Sequence, residues 1–342
     1  MVIKKMSKLF KILILLITFT INSNNSNASE EGFNKWIDSF RLEAINYGIS
    51  KTTVKKTLAN VKYLSKVIKY DRHQPEFYED TSTYIKKRAN KLKVNKGIKL
   101  YKKHINFINT IEKEFSVEKE LLLSLMGIET NFGNYLGKMD ILSSLATLSF
   151  DKRRSDFFTK ELLTLLKLVD DEKIDMDILF GSWAGAVGNF QFMPSTIKNY
   201  AIDYDKNSII ELKKFDDSFA SAANYISKIG WKKNSPCFIK VNLKDDIPKK
   251  YLNKSAKKIN NKKEFKFFKN YIIDSEDSKD LKISDDLLVG IITPDKDIVT
   301  DSKDLTPAYI VFKNYELILK WNRSLRFALA VCTLKEKFEN EI

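Results

Sequence analysis

The sequence predicts a mainly helical α+β protein in which a small β-rich segment is inserted late in a large helical region. Its 342 residues exceed what one ordinary core accommodates, so a principal domain with a subdomain is expected. From Glu31 to about Trp231, apolar residues recur with the helical period of about 3.6 residues. From Pro236 to about Pro307, short apolar runs lie between Lys-, Asp-, Asn- and Ser-rich stretches, a pattern typical of strands.

The order of the elements divides the chain into four segments. Helices are predicted at Phe33–Tyr47, Ser50–Ala59, Thr81–Phe115, Phe157–Asp170 and Asp217–Ile229. Strands are predicted at Cys237–Asn242, Leu287–Thr293 and Ala308–Phe312, and a helix returns over Tyr315–Lys337. We therefore expect an export segment at 1–28, a helical region at 29–235, a β-rich subdomain at 236–306, and a C-terminal strand and helix at 307–342 that pack back on the helical region.

The first 28 residues have the pattern of a secretory signal. Four lysines, Lys4, Lys5, Lys8 and Lys11, precede the apolar or threonine run Ile12–Ile21, and Ser26-Asn27-Ala28 supplies small residues for cleavage. This run is shorter than the roughly 20 apolar residues of a membrane span, and no later stretch approaches that length. No cysteine follows the cleavage site, so a lipoprotein anchor is not expected. An uncleaved N-terminal anchor is the alternative.

The charge of the chain favours an anionic polymer as its partner. The formal net charge is +15, and removal of residues 1–28, which hold four lysines and no acid, leaves +11. After export, such a charge suits cell-wall glycan, lipid headgroups or extracellular nucleic acid. The alternative is that the positive charge reflects only the overall composition, since lysine, asparagine and isoleucine are abundant throughout the chain.

Two classes of protein are excluded by residue counts and spacing. The two cysteines, Cys237 and Cys332, allow one disulfide but no disulfide scaffold, and their separation in sequence leaves their pairing open. Walker-type and dinucleotide-binding glycine spacings are both absent, so no phosphate loop is expected.

A carboxylate, Glu129, lies near the end of the apolar helical run Glu118–Phe132, just before Gly133. Ser116 is predicted to cap this helix, and its buried face is expected to hold Leu122, Leu125, Met126 and Glu129. Because desolvation disfavours the charged form, a carboxyl group there is expected to keep its proton at neutral pH and to donate it. The alternative is a structural acid that pairs with an arginine or caps a neighbouring helix.

A second dense motif, Gly181–Thr196, has the composition of a sugar-binding surface. Three small residues, Gly185, Ala186 and Gly188, permit close approach to the backbone. Hydrogen-bonding groups are expected from Ser182 and Gln191, and flat apolar surface from Trp183, Phe190 and Phe192. The alternative is a tightly packed turn before a helix that starts near Pro194.

The collinear order of these motifs resembles the lytic murein transglycosylase B family. The resemblance is carried by Gly127–Gly133 (GIETNFG), Ile141–Phe150 (ILSSLATLSF), Arg153-Arg154, Ser182–Ser195 (SWAGAVGNFQFMPS), Ala223–Ile226 (ANYI) and Gly230-Trp231. It extends upstream to Phe33–Trp36, Asp71–Phe77 and Tyr84, and downstream to Trp321–Ser324 and Ala328–Val331. It is weakest between residues 236 and 306.

The resemblance implies a lysozyme-like catalytic core at about residues 116–235 and a periplasmic enzyme that acts on peptidoglycan strands. Such enzymes cleave the β-1,4 bond between N-acetylmuramic acid and N-acetylglucosamine without water and leave a 1,6-anhydromuramoyl end. The family pattern makes Glu129 the single catalytic acid, which then acts as the base. It implies no cofactor for the chemistry, and cell-wall remodelling proteins as partners, but no nucleic acid and no membrane span in the mature chain.

The resemblance also assigns substrate-binding positions. They are Ser182, Gln191, Arg153, Arg154, Tyr225, Asn322 and, less directly, Tyr84. The chain departs from the family at Phe157, Phe327 and Trp321, where tyrosines are expected. We expect the aromatic platform to persist without their hydroxyl groups.

A candidate calcium loop follows the glycine-rich motif. Alternating oxygen ligands, Asp203, Asp205 and Asn207, resemble the start of an EF-hand, and the family pattern adds the Ile209 carbonyl and Asp217. The loop departs from the pattern by placing Ser208 where a glycine is expected. The ion would be structural, and the alternative is a polar surface loop.

Two rival functions remain open at this stage. A hydrolytic muramidase would use a second acid, such as Asp140 or Asp156, to activate water. A non-catalytic, basic glycan-binding or nucleic-acid-binding protein would need no acid at all.

Overall fold

Helices dominate both units of the fold in the computed structural model. The first unit comprises the chain up to residue 71 and residues 138–186, and the second comprises 72–137 and 187–342. The structure describes residues 30–74, 78–176, 179–275, 283–295 and 305–342. The predicted export signal at 1–28 lies outside these ranges. Within them, no helix has the length and apolar character needed to cross a bilayer.

The described segments form fourteen helices and eight strands. The helices are α1 (residues 30–46), α2 (Lys51–Thr57), α3 (Ser65–Arg72), α4 (Thr81–Arg88), α5 (Lys91–Lys103), α6 (Ile105–Phe115), α7 (Lys119–Thr130), α8 (Ile141–Phe150), α9 (Ser155–Asp170), α10 (Pro194–Tyr200), α11 (Phe215–Lys228), α12 (Phe265–Lys269), α13 (Lys313–Trp321) and α14 (Leu325–Glu339). The strands are β1 (Met139–Asp140), β2 (Phe180–Gly181), β3 (Phe238–Leu243), β4 (Leu252–Asn253), β5 (Lys263–Glu264), β6 (Ile272–Ser275), β7 (Leu288–Ile292) and β8 (Ala308–Val311).

The first unit packs α8 and α2 against α9 and pairs β1 with β2 in antiparallel fashion. Aromatic side chains fill its core: Phe33 lies 5.7 Å from Phe150 and 6.0 Å from Trp36 between ring centroids. Asp140 begins α8 as its N-cap, because its carboxylate accepts the Ser143 N–H at 2.7 Å.

Helix α7 lies at the centre of the second unit, in contact with α5, α6, α11 and α14. Its residues Leu121–Met126 are at most 2% exposed, which confirms the predicted apolar face. The predicted Ser116 cap is wrong. Ser116 adopts φ 54° and ends α6, whereas Glu118 occupies the N-cap position of α7 without a side-chain capping bond.

Glu118 fixes the start of α7 through its side chain. Its buried carboxylate accepts the Trp231 indole N–H at 2.5 Å and the Asn234 backbone N–H at 2.9 Å. It therefore ties the start of α7 to the chain that follows α11.

The β-rich part of the second unit is one sheet with the strand order β4-β7-β8-β3-β6, and β5 pairs with β7. The pairs β7–β8, β8–β3 and β3–β6 are antiparallel, whereas the pair β4–β7 is parallel. Its core includes Ile239, Phe268, Ile291 and Ile310, each at most 1% exposed. Cys237, just before β3, forms a disulfide with Cys332 of α14, with a Cα–Cα distance of 6.1 Å.

The predicted fold class, helical with a small β-rich insertion, is confirmed, but two predicted helices are broken. The run Thr81–Phe115 forms three helices. Asn90 caps the start of α5 by accepting the Lys93 N–H at 2.9 Å, and His104 separates α5 from α6 without a side-chain capping bond. The C-terminal run forms two helices, because Ser324 caps α14 by accepting the Phe327 N–H at 3.1 Å. The breaks at Asn90 and Ser324 follow from short polar side chains that compete with the helical backbone.

Candidate active site

Glu129 lies in the last turn of α7, half-buried, at the wall of a cavity of about 350 Å³. The leucines of this helix face are therefore fully buried, as predicted, but Glu129 itself is only half-buried. The cavity is lined by Lys87, Asn90, Leu92, Lys93, Lys96, Ile128, Glu129, Thr130, Asn131 and Tyr135. Among these described lining residues, Glu129 is the one acid.

The Trp321 indole holds Glu129 directly. Its Nε1–H donates to Glu129 Oε1 at 2.9 Å, across 192 residues of sequence. The indole stacks on the Tyr225 ring, with centroids 5.0 Å apart and planes at 18°, and meets Phe192 edge-on at 5.3 Å. Because its ring is packed on two sides, Trp321 presents its one donor in a fixed direction.

The predicted sugar platform from Phe190 and Phe192 is wrong. Both side chains are only 2% exposed. Their rings lie 6.3 Å and 5.3 Å from that of Trp321. They support the partner of Glu129 and present no surface of their own to a sugar.

The end of α7 is fixed by a hydrogen-bonded turn. Asn131 and Phe132 adopt positive φ, and Gly133 follows at φ 80°. The Thr130 hydroxyl donates to the Asn189 carbonyl at 2.7 Å and accepts the Gly133 N–H at 3.0 Å. A Cβ on Gly133 would lie 2.9 Å from Asn189 Oδ1, so this close approach requires glycine.

Asn189 connects this turn to the start of α11. Its backbone N–H donates to the Leu212 carbonyl at 2.8 Å, and its side-chain amide donates to Ser218 Oγ at 2.9 Å. Gly188 beside it has φ 78°, and a Cβ there would lie 2.2 Å from the Leu212 carbonyl oxygen. The glycine-rich motif thus brings backbone against backbone at this point.

Gln191 lies on the same turn in a left-handed conformation, with φ 51°. Its side-chain amide donates to the carbonyls of Gly188 at 2.9 Å and Leu136 at 3.4 Å. The side chain is half-buried, and its amide oxygen faces away from these donor contacts.

Tyr225 and Asn322 flank Trp321. The Tyr225 ring is stacked between Tyr200, at 4.2 Å, and Trp321, and its hydroxyl donates to the Lys320 carbonyl at 3.1 Å. Burial, together with the neighbouring Tyr200, raises the pKa of Tyr225 to about 12. Tyr225 therefore acts here as a neutral donor, and half-buried Asn322 follows Trp321 in the break between α13 and α14.

Two aromatic positions differ from expectation. Tyr84, predicted to bind substrate, is 1% exposed, with the Arg88 guanidinium 3.5 Å above its ring. The prediction of a direct contact with substrate is corrected, because the buried ring has no open face. Phe327 is 3% exposed and belongs to the core, so no platform position is lost there. Phe157 is 46% exposed, as a platform position would be.

The first unit holds the remaining predicted binding residues. Ser182 Oγ accepts the backbone N–H of Ala186 at 2.9 Å, which closes the turn after β2. Arg153 donates to the buried Asp71 carboxylate at 2.7 Å, and Arg154 pairs with its other oxygen. Asp71, absent from the predicted site, therefore orients both guanidinium groups and leaves each side chain about 40% exposed.

The candidate calcium loop brings its acids together as predicted. Carboxylate oxygens of Asp203, Asp205 and Asp217 lie within 4.8 Å of one another. Ser208 adopts φ 79° at the position where a glycine was expected. The Asn207 side-chain amide donates a hydrogen bond to Asp205 at 3.0 Å. It also donates to Glu211, an acid missing from the predicted set, at 2.9 Å. This set of oxygen donors fits a calcium ion.

Comparison with known proteins decides the family. A protein-family model described as "Transglycosylase SLT domain" matches residues 32–336. The chain belongs to this transglycosylase family. The predicted resemblance is thereby confirmed.

Individual relatives in the family are bacterial. The membrane-bound lytic murein transglycosylase B of Escherichia coli (strain K12) is 37% identical over 160 residues, which are 46% of this chain and 44% of the relative. The match therefore spans less than half the length of that relative. A crystal structure of SltB3 from Pseudomonas aeruginosa, in complex with NAG-anhNAM-pentapeptide, has a TM-score of 0.78 and 27% identity, covering 90% of this chain and 79% of that one.

A second solved structure is relevant to the metal loop. The Escherichia coli lytic transglycosylase Slt35 in complex with calcium has a TM-score of 0.73 and 25% identity, covering 89% of this chain and 93% of that one. Among the features of this family member that its sequence did not predict are the Trp321–Glu129 hydrogen bond and the lysines that share the cavity with Glu129. Neither has a signal in local spacing, because both depend on contacts between distant elements.

Proposed function

We propose that this protein is a peptidoglycan lytic transglycosylase that cleaves the β-1,4 bond between N-acetylmuramic acid and N-acetylglucosamine. The observation that carries the proposal is the single carboxylate of the cavity: Glu129, held by Trp321, is the one acid among its described lining residues. A glycosidase that activates water needs a second carboxylate about 5–9.5 Å away. A transglycosylase needs one group that serves first as the acid and then as the base.

The reaction starts with protonated Glu129, which donates its proton to the glycosidic oxygen as the bond to C1 of the muramoyl residue breaks. The N-acetyl group of the substrate stabilises the positive charge that develops at C1, as in substrate-assisted exceptions to the two-carboxylate rule. Glu129, now ionised, takes the proton from the C6 hydroxyl. The C6 oxygen then bonds to C1 and closes the 1,6-anhydro ring, which restores protonated Glu129.

Trp321 determines which oxygen of Glu129 carries the proton. An indole N–H is a donor only, so Oε1, which it contacts at 2.9 Å, must act as an acceptor in both states of the acid. Because a carbonyl oxygen is a stronger acceptor than a carboxyl hydroxyl oxygen, this contact favours the transferred proton on Oε2. The same bond stabilises the carboxylate after the proton has left.

We assign the binding roles from the family pattern and from exposure, because the Gln191 amide and the Tyr225 hydroxyl already donate to backbone carbonyls. In the second unit, we assign Gln191, Tyr225 and Asn322 to the sugar and N-acetyl groups. In the first unit, Ser182 and the half-exposed guanidinium groups of Arg153 and Arg154 are assigned to substrate oxygens. The substrate class is supported by the ligand of SltB3, a disaccharide with a pentapeptide.

We also propose that the loop of Asp203, Asp205, Asn207, Ile209 and Asp217 holds a structural calcium ion. Three clustered acids repel one another without a cation, and Slt35 was crystallised with calcium. The ion would stiffen the segment that leads into α11. It has no part in the proton transfers of Glu129.

Export remains part of the proposal. The lysine-rich start, apolar run and small residues of the first 28 residues support secretion to the compartment that contains peptidoglycan. We also propose residues 29–235 as the helical catalytic region and 236–306 as a β-rich subdomain. The C-terminal segment 307–342 supplies β8 to the same sheet and continues into α13 and α14.

The products made from purified sacculi in ¹⁸O-labelled water test this function. We expect muropeptides that end in 1,6-anhydromuramic acid, without ¹⁸O, by mass spectrometry. Reducing ends that carry ¹⁸O would instead establish the hydrolytic muramidase, because water would then be the nucleophile. Binding to sacculi without release of products would establish the non-catalytic alternative.

A further inference from the structure

Three lysines share the cavity of Glu129. Lys87 comes from the last turn of α4, and Lys93 and Lys96 lie one turn apart on α5, facing the end of α7. The amides of Asn90 and Asn131 line the same space, and the Tyr135 side chain, 73% exposed, lies at its edge.

Positive charge exceeds negative charge in this cavity. Lys87 is paired with Glu79, with Nζ 2.6 Å from Oε1. Within the described chain, neither Lys93 nor Lys96 has a carboxylate within ion-pair distance. With Glu129 as the acid of the lining, at least one lysine charge remains without a carboxylate when Glu129 is ionised, and two when it is protonated.

Lys93 keeps donors available for a ligand. Its Nζ donates to the Gly127 carbonyl at 2.6 Å, in the last turn of α7. An ammonium group has three N–H donors, so two remain. Stabilisation of the C-terminal end of α7 accounts for this one contact, but it accounts for neither the other donors nor Lys96.

The surroundings of Lys93 disfavour its charged form. Burial, together with the nearby charges of Arg88 and Lys96, lowers the pKa of Lys93 to about 8. An anion beside Lys93 and Lys96 would reverse this effect, because it favours the charged form of both groups.

We propose that Lys93 and Lys96 form a subsite for a carboxylate of the peptide carried by the glycan strand, directly beside the catalytic acid. The proposal rests on the proposed function and specifies its substrate as peptide-bearing glycan. Two ammonium groups, two side-chain amides and a rim tyrosine give a carboxylate charged and neutral donors in about 350 Å³, too little space for a long segment of glycan.

The test compares peptide-bearing glycan strands with the same strands after an amidase has removed their peptides and the lactyl carboxylates exposed by that cleavage have been converted to amides. The measured quantity is the ratio of kcat/KM for the two substrates, from the yield of 1,6-anhydro ends. The variants are Lys96→Gln, which removes one charge, and Lys96→Arg, which keeps it. The matched control is Lys99→Gln, on the exposed face of the same helix and outside the cavity lining.

We expect the wild type to prefer peptide-bearing strands, and Lys96→Gln to reduce that preference by about ten-fold, the effect of losing one charged hydrogen bond. Lys96→Arg and Lys99→Gln should keep the wild-type ratio. Added salt should reduce the preference of the wild type more than that of Lys96→Gln, because screening weakens the same attraction.

The outcomes separate the subsite from the function. If the wild type makes 1,6-anhydro ends from both substrates equally well, or if Lys96→Gln keeps the wild-type ratio, the subsite is wrong and the proposed function stands. Equal losses by Lys96→Gln on both substrates also contradict the subsite, since the lysine would then act on the sugar chemistry. If the wild type makes no 1,6-anhydro ends from either substrate, the proposed function fails, and the subsite fails with it.

Discussion

Glu129 is not the fully buried carboxyl group that the helix pattern suggested, because it contacts one indole N–H and lines an open cavity. The carboxyl group contacts Trp321 on one side and the lysine-lined space on the other. The acid could be recognised from the sequence because it interrupts an apolar helix face. The resemblance placed Trp321 on an aromatic platform, but its bond to Glu129 had no local signal, because an aromatic residue in an apolar stretch looks the same whether it fills a core or holds a catalytic acid.

The Trp321 contact makes a sharp prediction for Trp321→Phe. Phenylalanine keeps a stacked ring beside Tyr225 but removes the donor to Glu129 Oε1. A hydrogen bond to a charged group contributes about 1.5–3 kcal/mol, so we expect kcat to fall by about 10-fold to 100-fold with little change in KM. Steady-state kinetics on soluble glycan strands measure both values.

The matched control is Trp36→Phe in the aromatic cluster of the first unit, which should keep the wild-type kcat. If Trp321→Phe and Trp36→Phe have the same kcat, the indole donor has no catalytic role. A rise in KM without a fall in kcat would make Trp321 a substrate-binding residue instead.

The titration of Lys93 should make the affinity of the lysine subsite for a carboxylate depend on pH. Because burial and neighbouring cations lower the pKa of Lys93 to about 8, this group is charged below pH 8 and largely neutral above it. A carboxylate ligand favours the charged form, so the affinity should be constant below about pH 8. Above that pH, it should fall by up to ten-fold per unit until the bound form also loses its proton.

The measurement is calorimetric titration of Glu129→Gln protein with a soluble disaccharide-peptide from pH 6.5 to 9.5. Charged groups around Lys93 are Lys87 and Arg88 on α4, Lys96 on α5 and Glu129 on α7, and the last of these is neutral in this background. Addition of Lys93→Gln should remove the fall in affinity above pH 8. An unchanged pH profile in the double variant would show that another group titrates.

Among the elements, capping residues explain two of the three breaks in the predicted helices. Apolar periodicity continues through Asn90 and through Asn322–Ser324, so a pattern search joins helices that the backbone separates. Three of the eight described strands were predicted closely, because β3, β7 and β8 are apolar runs bounded by polar segments, whereas the other five strands are two to four residues long and were not predicted. The disulfide was left open, since a separation of 95 residues does not fix geometry.

A buried ion pair joins the end of the β-rich segment to two helices. Asp295 accepts the Thr81 backbone N–H of α4 at 2.9 Å and the Arg326 guanidinium of α14 at 2.7 Å, and both charged side chains are at most 7% exposed. Asp295→Asn removes the negative charge that the buried Arg326 guanidinium contacts. We expect a loss of about 3–5 kcal/mol in the free energy of unfolding, measured by urea denaturation.

The exposed ion pair between Lys269 and Asp285 is the control for this loss. Asp285→Asn should change the free energy of unfolding by at most about 0.5 kcal/mol, because an exposed pair is screened by water. Equal effects of the two Asp→Asn variants would contradict the anchoring role of Asp295.

The metal loop predicts a calcium-dependent melting temperature. At a calcium concentration about 100 times the Kd, binding to the folded state stabilises it by about 2.7 kcal/mol, which corresponds to a few degrees in Tm. Scanning calorimetry with calcium or with a chelator measures the difference. Magnesium should give a smaller rise, because it binds poorly to a flexible loop of carboxylates.

Asp205→Asn should abolish most of the calcium effect, because Asp205 belongs to the clustered acids. Asp245→Asn, at an exposed position outside the loop, should keep it. A Tm that does not respond to calcium would leave the loop as a polar turn held by its own backbone N–H groups.

For the whole molecule, local sequence predicted the fold class and the acid, and long-range contacts supplied the rest of the site. Gly188 and Asn189 were recognised as part of a dense motif, but their contacts with Leu212 and Ser218 could not be predicted from spacing. Trp321 lies 192 residues from its partner Glu129. Such pairs become predictable only when the packing of α7, α11 and α13 is known.

The central claim is that Glu129 alone performs the proton transfers of a lytic transglycosylase. Its most direct test is the rate at which Glu129→Gln releases soluble 1,6-anhydromuropeptides from purified sacculi, beside the wild type and the surface control Glu43→Gln. The account predicts a loss of at least about 100-fold for Glu129→Gln, since the amide neither donates an acidic proton nor accepts one, and a wild-type rate for Glu43→Gln. Release by a folded Glu129→Gln protein at the wild-type rate would contradict it.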